Sequence, residues 1–338
     1  MSVISWVDLC FSVTYAIGIL LVFGLAAWRT LLSKAAYRRK AFAQMLVYYG
    51  LGLFWLLIPF TLWQWWIGLR STPAMLLLVA FSLLMLYSRF IEPNRLVTRH
   101  QRIVLDPERP LATPLRVVLL ADIHVGLFSG GKRQLRRIVQ QVNALNADCV
   151  VVAGDWTYEA GDDLLSWLAP LGHLNGPVYS VAGNHDEELP GPPIQHELHQ
   201  ALLALNIEPI EGRVVTTHPS VYLYGTGDLW AGKADLTALR FFPQDKPWIV
   251  VAHNPDTVDH IPSGLSHRPL MLSGHTHGGQ VNVPWLTAWA LKKESQYGFQ
   301  VGLYDMPNAQ VYVTAGTGMV AAPLRFLMPP SIDLLELV

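Results

Sequence analysis

The sequence predicts a layered α/β domain carried behind a membrane-spanning helical region. Three observations lead there. Apolar runs fill the first 90 residues, strand-like and helix-like periodicities alternate after about residue 102, and polar residues recur where the strand-like runs end.

The apolar excess defines the first element. Hydrophobic residues make up 51% of the 338 and charged residues only 14%, too apolar for an ordinary soluble domain. Three runs hold the excess: LCFSVTYAIGILLVFGLAAW (9–28), MLVYYGLGLFWLLIPFTLWQWWI (45–67) and AMLLLVAFSLLMLYS (74–88), none with an Asp, Glu, Lys or Arg. About 20 apolar residues cross a bilayer core, so the first two are read as transmembrane helices. The third is shorter. It either spans, with Arg70 and Arg89 stretching to the interface, or lies in the interface. The opening MSVISWVD has no basic residue, so a retained helix fits better than a signal peptide. The expected division is an anchor at 1–90, a linker at 91–113 and a folded domain at 114–338.

Charge sets an expected orientation. Arg29, Lys34, Arg38, Arg39 and Lys40 follow the first run, and Arg89, Arg95, Arg99 and Arg102 follow the third, whereas only Arg70 follows the second. Basic loops stay inside. Three spans therefore place the large domain in the cytoplasm, and two would place it outside. The spans carry no charge, which argues against an ion pathway. The net charge of −1 argues against a nucleic-acid partner. Cys10 lies in the first run and Cys149 in a buried-strand pattern, so no disulfide is expected.

After the linker, LRVVLLAD (115–122) reads as a buried strand, followed by Leu135, Ile138, Val139, Val142 and Leu145 at helical spacing. DCVVVAGD (148–155) is a second strand, and Leu164, Leu165 and Leu168 fit a short helix. PVYSVAGNHD (177–186) opens as a strand, and HELHQALLAL (196–205) reads as a helix. VYLYG (221–225), WIVVAH (248–253), PLMLSGH (269–275), QVYVTAG (310–316) and DLLELV (333–338) complete the strands. Such alternation is the pattern of an α/β domain. Asp122, Asp155, Asn184, His253 and His275 each close a strand run, and ligands of open α/β sheets gather beyond strand carboxyl ends.

These polar groups belong to short motifs. ADIH supplies Asp122 and His124, AGDW Asp155, AGNHDE Asn184, His185 and Asp186, AHNPD His253, and GHTHGGQ His275 and His277. Any one of them is more often structural than functional. A His-x-His on a glycine loop, read alone, is as easily two solvated side chains. Together they offer mixed nitrogen and oxygen donors without thiolate, which suits Mn²⁺, Fe or Zn²⁺. Two divalent ions outweigh two carboxylates, and the surplus charge attracts phosphate. Ions about 3.5–4 Å apart clamp both oxygens of a phosphoryl transfer.

The series DxH, GD, GNHD, a lone His and GHTH resembles the calcineurin-like metallophosphoesterases over about 114–338. The resemblance implies a two-sheet α/β/β/α sandwich and two divalent metals, Mn²⁺ foremost, with Fe or Zn²⁺ as alternatives. It implies that Asp122, His124 and His277 hold one metal and Asn184, His253 and His275 the other, with Asp155 bridging. His185 would protonate the leaving group, and Asp186 would orient it or steady the phosphate. Trp156 stands where the family more often has a smaller residue and is expected to reshape the pocket wall. The chain looks most like the membrane-attached bacterial branch, which includes phosphodiesterases and a pyrophosphatase that splits UDP-diacylglucosamine. The implied activity is hydrolysis of a lipid-linked phosphodiester or pyrophosphate by metal-activated hydroxide. A phosphomonoesterase or protein phosphatase, and a catalytically silent membrane scaffold, are the alternatives.

Other residues receive plainer readings. VPWLTAWALKK (283–293) and RFLMPP (325–330) mix aromatic and basic residues as an interfacial segment does, but packing into a core or against the helix bundle is the favoured reading. Arg325 is expected at the surface, with phosphate contact as the alternative. Asp228 in GTGD reads as a turn residue. His100, His173, His196, His199, His218, His260 and His267 lie outside every motif and are read as surface or core residues.

Overall fold

The computed structural model describes residues 3–32, 38–108, 110–159, 163–187 and 194–338. Its N-terminal part is helical: α1 (Val3–Leu32), α2 (Arg38–Gly50), α3 (Phe54–Trp66) and α4 (Thr72–Leu86). A 3₁₀ turn, Leu51–Leu53, joins α2 and α3 into one rod. A π turn, Tyr87–Ile91, and a 3₁₀ turn, Glu92–Asn94, prolong α4. Three apolar rods result, of 27, 29 and 23 residues, each long enough to cross a bilayer. Leu20, Leu77 and Trp66 point outward, exposed by more than two thirds.

The third rod is longer than its apolar run because Arg89 does not stretch away from it. Arg89 is buried, its guanidinium 3.6 Å from the centre of the Tyr48 ring, and its Nε donates to the Tyr48 carbonyl at 3.2 Å. Ring and carbonyl replace the water the side chain was expected to seek.

Among the described residues the domain adds fourteen strands and four helices. Its first half holds β1 (Val97–Ile103), β2 (Leu115–Leu120), β3 (Val125–Gly126), β4 (Cys149–Ala153), β5 (Thr157–Tyr158), β6 (Val178–Val181) and β7 (Ile207–Pro209), with α5 (Lys132–Ala144), α6 (Leu164–Leu168) and α7 (Gln195–Ala204). Its second half holds β8 (Val214–His218), β9 (Val221–Gly225), β10 (Trp248–Val251), β11 (Leu270–Ser273), β12 (Gly302–Met306), β13 (Ala309–Val313) and β14 (Ser331–Leu337), with α8 (Pro284–Glu294). Two six-stranded sheets form, in the orders β1-β14-β2-β4-β6-β7 and β12-β13-β11-β10-β9-β8.

All the strands expected from the sequence are present. Residues 97–103, expected in the linker, form β1 and pair in parallel with β14. Its sequence, VTRHQRI, buries only Ile103 fully, so a polar edge strand carried no apolar signal.

Alternation builds the layers. Val117, Leu119 and Val151 meet Leu223, Ile249, Val251 and Leu272 between the sheets. Val118, Leu120, Val150 and Val152 face the other way, onto Leu135, Ile138 and Val142 of α5 and Leu198 of α7. Strands buried on both faces explain the unbroken apolar runs. The outer face of the second sheet meets the 3₁₀ turns Thr237–Arg240 and Pro255–His260 through Leu239 and Val258. That fourth layer is therefore built largely of short turns. Both cysteines are free, Cys10 exposed and Cys149 buried.

Candidate metal centre

Strands β2, β4 and β6 run parallel to one another, as do β9, β10, β11 and β13. Their carboxyl ends deliver the ligand candidates, and the chain turns sharply there. Asp122, His124, Asp155, His275 and His277 have φ of 51°, 51°, 55°, 70° and 51°. Left-handed backbone outside glycine costs about 1–3 kcal/mol per residue and concentrates at functional sites. The motif glycines make room. A Cβ on Gly183 would lie 2.2 Å from Asp155 Oδ1, and one on Gly274 would lie 2.5 Å from Asp122 Oδ2.

Two donor clusters result. In the first, His124 Nε2 and His277 Nε2 stand 2.9 Å apart, with Asp122 Oδ1 at 3.9 Å and 3.4 Å from them. In the second, Asn184 Oδ1 is 3.1 Å from His253 Nε2 and 3.0 Å from His275 Nδ1, and those nitrogens are 3.2 Å apart. Asp155 Oδ2 lies between, 3.5 Å from His124 Nε2 and 3.3 Å from His253 Nε2. The residues expected to hold two metals thus fall into the two expected groups, with Asp155 within reach of both.

The donor chemistry fits. His124 Nδ1 donates to Thr157 O at 3.2 Å, His253 Nδ1 to Ala153 O at 2.8 Å and His275 Nε2 to Glu294 O at 3.3 Å. At His124 and His275 the carbonyl fixes the proton on the outer nitrogen and leaves the inner lone pair facing the cluster, as in metal-bound imidazoles, whereas His253, which Asp155 keeps protonated, would give up its inner proton to an ion. Burial pushes His124 and His275 down to about 3 and holds His277 well below its ordinary value. These rings are unprotonated, as metal binding requires. Burial pushes Asp122 up to about 7. Burial also opposes the charge on Asp155, but His253 and His185 prevail and hold it well below the carboxylate range. His253 is the reciprocal case: burial would lower it, yet Asp155 raises it to about 10.

A cavity of about 400 Å³ opens over the clusters, lined by Asp155, Asn184, His185, His275 and His277. The His185 backbone N–H donates to Asp155 Oδ1 at 3.0 Å, and its ring stands edge-on to His124 at 5.1 Å. Asp186 is fully buried and does not line the cavity. Its carboxylate accepts from the N–H groups of Trp156, Thr157 and Gly183 and from the Thr157 hydroxyl, at 2.9–3.1 Å. It staples the GNHD turn to the GDW turn. The structure thus places Asp186 on the loops, where the sequence pointed to the His185 ring or the phosphate.

Three readings are corrected. Trp156 does not shape the pocket wall. It is fully buried between the first sheet and the helices, donating to Ser180 Oγ at 2.8 Å. Arg325 is not at the surface. It is fully buried, donating to the carbonyls of Gly318, Ala315 and Met328 at 2.7–3.1 Å, with its Nη2 3.2 Å from His277 Nδ1. Converging carbonyls satisfy it as water would. Residues 284–294 do not pack a core along their length: α8 leaves Trp285 81% and Trp289 58% exposed. Asp228 does make its turn, accepting from Ala231 N at 2.9 Å, but it is buried near His253, whose pKa it helps to raise.

Several neighbours carried no signal in the sequence. Lys40 of α2 lines the cavity, as do Tyr158, Trp230 and Glu294. Trp230 stands edge-on to His275 at 4.5 Å.

With this geometry in view, the comparisons agree. Residues 115–279 match the model of the calcineurin-like phosphoesterases. A Danio rerio transmembrane protein with a metallophosphoesterase domain is 35% identical over 62% of this chain and 50% of its own, so the chain spans about half that relative's length. An Escherichia coli protein named phosphodiesterase YaeI is 28% identical, over 75% of this chain and 92% of its own. A Campylobacter jejuni protein named an uncharacterized metallophosphoesterase is 30% identical, over 77% of this chain and 68% of its own. Motifs, strand-end clusters and relatives converge, and the chain belongs to the calcineurin-like metallophosphoesterase family.

Proposed function

We propose that this chain hydrolyses a phosphodiester or diphosphate bond in a membrane-associated, lipid-linked substrate, using two divalent ions. The observation that carries the reading is Asp155 Oδ2, placed 3.5 Å from one cluster and 3.3 Å from the other. Asp122, His124 and His277 would hold one ion, Asn184, His253 and His275 the other, and Asp155 both. Bound ions supply Lewis-acid stabilisation of the phosphoryl oxygens and acidify water, and Mn²⁺ suits these donors.

The chain's own groups do the rest. His185 is partly exposed to the cavity and held at its backbone by Asp155, the placement of a proton donor to a leaving oxygen. Asp186 fixes the turn that presents it. The lipid-linked substrate is supported by the cavity's surroundings. Helix α8 contributes Leu291 and Glu294 to one wall, while its exposed Trp285 and Trp289 and its terminal Lys292 and Lys293 form an aromatic and basic rim. Lys40 brings the anchor to the other wall. The basic residues at that end of the rods favour a cytoplasmic domain.

The test is hydrolysis by the purified full chain in Mn²⁺, comparing an aryl phosphodiester with the matching monoester. Diester preference lost in Asp155→Asn and in His185→Ala supports the reading. Monoester preference replaces it with a phosphatase, and absence of turnover with two metals bound overturns it. A reporter fused after Val338 that is active only outside the cytoplasm overturns the orientation.

A further inference from the structure

A second cavity, of about 450 Å³, lies where the third apolar rod meets the domain. Arg89 and Asn94 of the rod's end line it, as do Arg133 and Arg137 of α5. Among the described residues no carboxylate lines it. Arg133 and Arg137 sit one helical turn apart and are exposed, with no ion pair or hydrogen bond among the described residues. Like charges at that spacing repel unless an anion answers them.

Two hydroxyls on the same wall lack partners. Ser129 is 7% and Thr317 1% exposed, and neither Ser129 Oγ nor Thr317 Oγ1 has a hydrogen-bond partner among the described residues. Buried polar groups are normally satisfied, and leaving one unpartnered is costly. Three arginines around one space that, among the described residues, holds no carboxylate are the chemistry of a phosphate-bearing ligand.

The position selects the source. The rod leaves Leu83, Phe90 and Ile91 exposed beside the cavity, by 53%, 39% and 56%, and Phe90 is part of the lining. An acyl chain along that apolar face would bring its headgroup to the arginines. Basic pockets at the ends of transmembrane helices take anionic headgroups in this way. We infer that this cavity is a binding site for the headgroup of an anionic phospholipid, separate from the metal centre. It requires no phosphoesterase activity.

The test uses the full chain in uncharged detergent micelles doped with dioleoyl phosphatidylglycerol, dioleoyl phosphatidylcholine or inorganic phosphate at equal concentration. Binding is read from the rise in thermal midpoint and from native mass spectrometry. Phosphatidylglycerol should bind, and the double variant Arg133→Ala/Arg137→Ala should weaken it at least tenfold, as loss of two charge-assisted contacts predicts. Both side chains are exposed, so the lipid-free midpoint of the variant should match the wild type. Arg136→Ala, on the same helix but outside the lining, should bind as the wild type does. Equal binding of phosphatidylcholine, or phosphatidylglycerol binding unchanged in the double variant, overturns the site. Equal stabilisation by inorganic phosphate, lost in the double variant, makes it a free-anion site and overturns the lipid assignment.

Discussion

The Gln44 amide of the anchor donates to the Tyr158 hydroxyl at 2.7 Å, across 114 positions of the chain. The same nitrogen donates to the Ala321 carbonyl, also at 2.7 Å. Tyr158 in turn stands edge-on to His124 at 5.5 Å and lies 4.9 Å from His185. A helix of the membrane region therefore holds an aromatic wall of the metal centre. Ala41 and Met45 pack beside it against Leu127, Phe128 and Met319.

Gln44→Leu tests whether that contact matters to the site or only to stability. The side chain keeps its bulk but loses both bonds, leaving a hydroxyl and a carbonyl without their donor at a cost of about 1–3 kcal/mol. Turnover of an aryl phosphodiester should fall about tenfold, because the wall behind His185 loosens, while the chain still binds two metals. A lowered thermal midpoint with unchanged turnover would make the contact structural only.

Gly183→Ala should empty the centre. The new Cβ would lie 2.2 Å from Asp155 Oδ1, which the His185 N–H holds in place, and 2.5 Å from the Asp155 backbone nitrogen, which no side-chain rotation can move. Asp155 must move, and it is the group between the clusters. Metal content should drop below two per chain and activity below about 1% of wild type, a loss of the size expected when a metal centre is dismantled. Gly24→Ala, where a Cβ meets nothing within 4 Å, should retain both. Full metal content in the Gly183 variant would refute the argument.

What the sequence revealed and what it hid have separate physical causes. The residues of the candidate metal centre were legible because each follows a buried strand, so local pattern and global position coincide. Arg325 was not legible. Its partners are the carbonyls of a loop ten to three positions away, and no local periodicity marks a buried arginine. Strand β1 was hidden because an edge strand with polar outward residues looks like a linker. Lys40 and Gln44 were hidden because they reach the site only through tertiary packing of the anchor on the loops after β2 and β4. Arg89 misled in the same way, since its aromatic partner comes 41 positions earlier.

Asp333 supplies a pH-dependent prediction outside the site. It sits on β14 in register with Arg99 of β1 and is fully buried. Burial raises its pKa to about 6, with the hydroxyls of Thr314 and Ser331 and the charge of Arg99 pulling the other way. In the unfolded chain an aspartate titrates near 3.9. The folded state therefore holds the proton more tightly, and stability falls as pH rises from about 4 to about 6, then levels off. An amide in its place has no charge to bury, so Asp333→Asn should stabilise the chain at pH 7.5 by about 2–3 kcal/mol. The advantage should shrink at pH 5 and vanish below about pH 4. Thermal midpoints of both proteins in detergent at pH 7.5 and pH 5 decide it. A gap that does not narrow at pH 5 would show that Asp333 is not the group whose ionisation opposes folding.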